Sequence, residues 1–157
     1  MKSLIDFLQT GSNTRIYESA DDVQKAIKQG QPFILTGGYK ETHKAVYDAA
    51  LGNNYMIYTV FVDKMTADDI KVITIDGQKI LPSWAAHVAD NDNNKCLLVF
   101  LFDDEKDHSD LFNALMPIFL ENKLFGKKYS HFVPCIVTTK DLELPKKLAK
   151  KLTSITV

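Results

Sequence analysis

The sequence predicts an α/β domain, a mostly parallel sheet flanked by helices with one small β-hairpin near residues 72–81. Three observations carry this. Short β-branched and aromatic stretches alternate with helical patterns along the chain. Leu97–Phe102 and Phe132–Val137 are almost unbroken apolar runs, as expected of central strands covered on both faces. Asp76-Gly77 separates two β-rich stretches and supplies the positive backbone angles of a tight turn. With 157 residues and no repeat, low-complexity tract or linker, the chain is expected to form one domain over 1–157.

The elements follow in order. Ser3–Gln9 can form a short appended helix, ended by Gly11-Ser12-Asn13. Ser19, followed by Asp21 and Asp22, starts a second helix, because its hydroxyl can accept an orphan amide and carboxylates suit the positive helix end. Val23, Ala26 and Ile27 form its apolar stripe, and Gly30 stops it. Phe33-Ile34-Leu35 is a short buried strand. Gly37-Gly38 then turns the chain into a helix with Ala45, Val46, Ala49 and Ala50 inward, closed by Gly52-Asn53-Asn54. Tyr55–Val62 is a strand by composition. Val72–Ile75 and Gln78–Leu81 are the hairpin arms, and Ser83–Ala89 is a short helix bearing Trp84. Ser109 caps a helix with Leu111, Phe112, Leu115 and Phe119 inward, which Pro117 should kink or deprive of one backbone bond. Pro145 opens a last helix through Lys151, and Thr153–Val157 suits an edge strand.

A net charge of -1 removes the electrostatic argument for nucleic acid or an anionic membrane. Charge is nevertheless segregated: Asp90, Asp92, Asp103, Asp104, Glu105, Asp107 and Asp110 crowd the middle, and Lys140, Lys146, Lys147, Lys150 and Lys151 the end. The plain interpretation is two solvated faces; the sharper one is complementary patches that meet between copies. Asp6 interrupts the first apolar stretch, so no signal peptide is expected, and no apolar run nears the roughly 20 residues that span a bilayer. Cys96 and Cys135 make no disulfide framework and are expected as reduced core thiols close to each other on neighbouring strands. A cytoplasmic setting follows as an expectation.

Five stretches suggest a known layout. Gln31-Pro32-Phe33-Ile34-Leu35-Thr36-Gly37 looks like a strand entering a phosphate-binding loop. Leu81-Pro82-Ser83-Trp84 is a Pro-x-Trp step before a short helix. Leu97 through Asn113-Ala114-Leu115 to Glu121-Asn122-Lys123-Leu124 is a strand followed by an Asn-Ala-Leu helix. Val137-Thr138-Thr139 and Leu144-Pro145 with Leu148 complete the order. Over roughly Asp21 to Val157 this resembles the core of an AAA+ ATPase of the MoxR-like kind. The resemblance implies a P-loop-NTPase-like sheet with Walker A, Walker B, sensor 1 and arginine-finger stations.

At each station the chemistry departs from the family pattern. A phosphate loop needs small residues, a lysine and a hydroxyl for magnesium. Aligned from Gly37, the chain reads Gly38-Tyr39-Lys40-Glu41-Thr42-His43-Lys44. Thr42 stands for the second glycine, His43 for the lysine and Lys44 for the hydroxyl, while Glu41 adds a negative charge where phosphate would sit. At Walker B, Phe102 falls on the magnesium-ordering aspartate and Asp103 on the catalytic glutamate. A one-residue shift would instead offer Asp103 with Asp104, or Asp104 with Glu105, as a cation-holding pair. Lys140, after Thr139, takes the place of the sensor 1 asparagine, and Lys151 that of the finger. Lysine lacks the planar fork that clamps a transferring phosphoryl group. The family's helical lid would follow beyond Val157.

The leading expectation is therefore a non-hydrolysing AAA+-like binding or assembly module with no cofactor, catalytic residue or metal. Its Lys146–Lys151 helix and Asp103–Glu105 strand end would be complementary faces toward a protein partner or a second copy. One alternative is a minimal ATPase that places Lys40 or Lys44 on phosphate and the acidic residues on magnesium. Another is a small-anion or ligand sensor using the cleft at the strand ends. His43, His87, His108 and His131 lack metal-site spacing and are expected as surface or loop residues. Trp84 is expected in the core or at its lip.

Overall fold

Alternation of strand and helix builds a two-sided core around one parallel sheet. The computed structural model describes residues 21–65, 73–90, 95–102, 109–124, 127–128, 132–140 and 142–157. In chain order the elements are α1 (residues 21–28), β1 (Phe33–Thr36), α2 (Tyr39–Gly52), β2 (Met56–Phe61) and a 3-10 turn at Val62–Lys64. Then come β3 (Ile73–Ile75), β4 (Gln78–Ile80), α3 (Ser83–Asp90), β5 (Cys96–Phe102) and α4 (Ser109–Glu121). The remainder is β6 (Lys123–Leu124), β7 (Lys127–Lys128), β8 (Phe132–Thr138), α5 (Lys146–Lys151) and β9 (Thr153–Thr156).

The main sheet has the order β2-β5-β8-β1-β9, with every adjacent pair parallel. Because side chains alternate across a strand, β5 feeds both cores. Leu98, Phe100 and Phe102 enter a cluster with Trp84 of α3, Phe112, Leu115 and Phe119 of α4, and Leu148 of α5. Leu97, Val99 and Leu101 enter the other, with Val23 and Ile27 of α1 and Ala45, Val46, Ala49 and Ala50 of α2. All seven residues of β5 and all seven of β8 are buried, which explains their unbroken apolar runs. Each large apolar side chain so buried contributes roughly 1.5–3 kcal/mol.

Most local expectations hold. Gly30 adopts φ +65° beyond α1, and Asp76 and Gly77 turn the β3–β4 hairpin at φ 52° and +78°. Trp84 is buried edge-on against Phe100, at 5.7 Å between ring centroids. Pro117 lies inside α4 on its exposed side. β9 forms the sheet edge, paired to β1.

Two points differ. A second hairpin, β6–β7, was not expected, because two-residue strands containing three lysines give no periodic signal. Cys96 and Cys135 do lie on neighbouring strands, but Cys135 registers with Val99, three residues from Cys96. An odd offset puts the thiols on opposite faces, one in each core, so no disulfide is in reach. The helix over 3–9, Ser19, Val72 and Asp103–Glu105 fall outside the described residues. No helix among the described residues is long and apolar enough to cross a membrane.

Candidate functional site

The strand C-terminal ends are where an open parallel sheet places ligands, and Gly37 sits there at the end of β1. Its N–H donates to the Thr138 carbonyl (3.0 Å), so one amide that a phosphate would take is already bonded. A Cβ on Gly37 would stand 3.0 Å from Val157 Cβ, 3.0 Å from the Val157 carbonyl oxygen and 3.4 Å from Thr42 Cγ2. Close approach of the chain after β9 therefore accounts for glycine here. Gly38 is the N-cap of α2, and helix begins at Tyr39. A Cβ on Gly38 would collide with the Glu41 carboxylate, which folds back over the cap. From the third helical position a glutamate complements the positive helix end.

Residues 39–44, aligned to a phosphate loop, are thus the first turns of a helix. Thr42 is buried; its hydroxyl donates toward the Gly38 carbonyl (2.9 Å) and lies 3.1 Å from that of Tyr39. Lys40, Glu41, His43 and Lys44 are exposed, and Lys44 pairs with Asp48 at 3.7 Å, a surface contact of little energetic weight.

The other stations are dispersed. Phe102 is buried and stacked on Phe112 (5.3 Å between centroids, 14° between planes), facing the α4 side of the sheet. The Thr138 hydroxyl donates to the Lys140 carbonyl (2.7 Å) and accepts from the Lys140 N–H (3.2 Å), closing a tight turn through Thr139 with the Lys140 side chain exposed. Lys151 is farther away. Its carbonyl accepts from Gln31 Nε2 (2.6 Å), and β9 begins in register with Phe33. It therefore lies beyond the opposite end of β1 from Gly37, a strand that itself covers roughly 13 Å from Phe33 to Gly37 at ordinary rise.

Nucleophilic and metal chemistry find no support among the described residues. Burial pushes the Cys96 thiol up to about 11 and the Cys135 thiol higher still, with the Cys96 charge adding to the latter. Both stay protonated and inert near neutrality. No cluster of three or more His, Cys, Asp or Glu stands close enough to hold a metal ion, again among the described residues.

One feature escaped sequence reasoning. A groove of about 310 Å³ runs between α2 and the β2-β5-β8 half of the sheet. Its floor is Ile57, Thr59, Val99, Leu101 and Val137, and its wall is Tyr39, His43 and Tyr47. Those three rings form a ladder up α2, with centroids 6.1 and 5.9 Å apart and planes within 12° and 17°. Phe61, half-exposed, makes the far rim, with Lys64 Nζ 5.6 Å from its ring centroid. The i, i+4, i+8 spacing of 39, 43 and 47 was the available signal.

No family model matches the sequence, and no curated protein matches it either. Solved structures do. A protein of Cytophaga hutchinsonii, provisionally assigned as an ATPase, is similar over 90% of this chain, at 15% identity and a TM-score of 0.51. PCH-2 of C. elegans is similar over 92%, at 11% identity and a TM-score of 0.52. The chain spans 45% and 42% of those proteins, so it corresponds to less than half of either. At such identities the likeness is one of fold, an α/β arrangement with an all-parallel five-stranded sheet flanked by helices.

Proposed function

We propose that the chain is an AAA+-like binding or assembly module that neither holds nor hydrolyses a nucleoside triphosphate. One observation carries this reading: two residues separate β1 from α2, so the stretch that would wrap the phosphates is helix from Tyr39 onward. Phosphate binding at a strand–helix junction depends on a loop of inward-facing amides with a lysine among them. Here the Gly37 amide is bonded to Thr138, Val157 packs over the glycine, and the Glu41 carboxylate occupies the helix end. A polyphosphate would have to displace one internal anion and unwind a turn of helix.

On this reading, association is what remains of the family's behaviour. Lys146, Lys147, Lys150 and Lys151 are all exposed on α5, while Leu148 anchors the helix in the core. That face suits an acidic partner surface, and Asp103, Asp104 and Glu105 of a second copy supply the matching charge. Calorimetry with ATP and magnesium tests the nucleotide half of the proposal. Absence of heat and of any thermal shift at millimolar nucleotide is expected. A saturable isotherm with one site would make the chain a minimal ATPase candidate.

A further inference from the structure

We propose that the groove beside α2 is a binding site for an amphipathic organic anion, a molecule with a ring or short-chain apolar body and one carboxylate or sulfonate head. This goes beyond the module reading and does not depend on it, since no residue of the strand–helix junction other than Tyr39 and Thr42 lines the groove.

Shape and lining supply the apolar half. At about 310 Å³ the groove is at the small end of ligand sites, which are typically apolar with a few placed polar groups. Its floor is built from buried Val99, Leu101 and Val137, with Val46 below the ladder. Phe61 and Leu101 are in register across β2 and β5, and Leu101 and Val137 across β5 and β8, so they form one continuous row at the strand ends. Tyr39, Tyr47 and Phe61 stay about half-exposed, presenting ring surface to whatever enters. On the floor, the Thr59 hydroxyl has no hydrogen-bond partner among the described residues.

Charge at the mouth selects the head group. Lys64 stands over the Phe61 ring. Of the acids on α2, Asp48 is paired with Lys44 and Glu41 is turned back over the Gly38 cap. Apolar floor and cationic rim together suit an anion with a greasy body, and neither alone would.

The test is a titration of the whole 157-residue chain with 1-anilinonaphthalene-8-sulfonate, read by fluorescence, with dodecanoate as competitor and uncharged N-phenyl-1-naphthylamine as comparator. Expected are a single saturable site displaced by dodecanoate, and weaker binding of the neutral amine at low salt. Phe61→Ala, and separately Thr59→Trp, which fills the groove from its floor, should each weaken binding about tenfold or more. Leu51→Ala, exposed on α2 outside the groove, should leave it unchanged. Denaturant midpoints confirm that each variant is folded. The proposal is overturned if both groove variants bind as the parent does, or if the neutral amine binds as tightly as the sulfonate at low salt.

Discussion

Glu41 shows how one side chain can decide a site's chemistry. Its carboxylate folds over the Gly38 cap, where it complements the partial positive charge of the first helical amides. Glu41→Gln should lower stability by about 0.3–1 kcal/mol at low ionic strength, with the deficit shrinking in salt, as denaturant titration would show. The buried thiols make a second case at this scale. Burial raises Cys96 from an ordinary 9.0 to about 11, so the folded state holds its proton more tightly than the unfolded chain does. The sign follows: this contribution is complete below pH 9 and is lost as pH rises toward 11. Over that window the parent should lose about 1–2 kcal/mol more stability than Cys96→Ala does. Parallel denaturation curves at pH 8 and pH 10.5 check it; equal losses would contradict it.

At the scale of elements, junctions matter more than lengths. The β3–β4 turn depends on Gly77 at φ +78°, so Gly77→Ala should cost about 1 kcal/mol in thermal or denaturant unfolding. Pro117, on the exposed side of α4, forgoes one backbone bond and crowds the preceding turn; Pro117→Ala should raise stability, by up to about 3 kcal/mol. These elements were legible from the sequence because periodicity, capping and turn chemistry act locally. β6–β7 was not, since two residues per strand carry no period. The helical start at Tyr39 was half legible. Thr42 and His43 differ from the glycine and lysine that a phosphate loop uses, but sequence alone left open whether residues 38–44 form a cradle or a helix. The close contact of Val157 with Gly37 decided part of that geometry, and residues 120 apart in the chain offer no local sign of meeting.

Across the whole molecule, the sheet order β2-β5-β8-β1-β9 creates both candidate surfaces. It brings Phe61, Leu101 and Val137 into one row and so makes the groove, a feature spread over three distant segments that no window of sequence could reveal. The same order leaves Lys151 at the opposite end of β1 from Gly37, which separates the basic helix from the strand-end cleft. We propose that such a face serves association between molecules rather than a site within one. If it drives self-assembly, sedimentation at low salt should show a concentration-dependent oligomer that reverts to monomer at high salt. Lys147→Glu with Lys150→Glu should abolish that oligomer.

If, as we propose, the chain past β1 has no room for a polyphosphate, the backbone amides of Gly37 through Thr42 report on it directly. Amide chemical shifts followed by NMR while magnesium-ATP is raised to millimolar concentration should stay in place along that segment. Saturable shifts centred on Gly37, Gly38 and the first turn of α2 would mean the helix opens to take the nucleotide, and the account would be wrong.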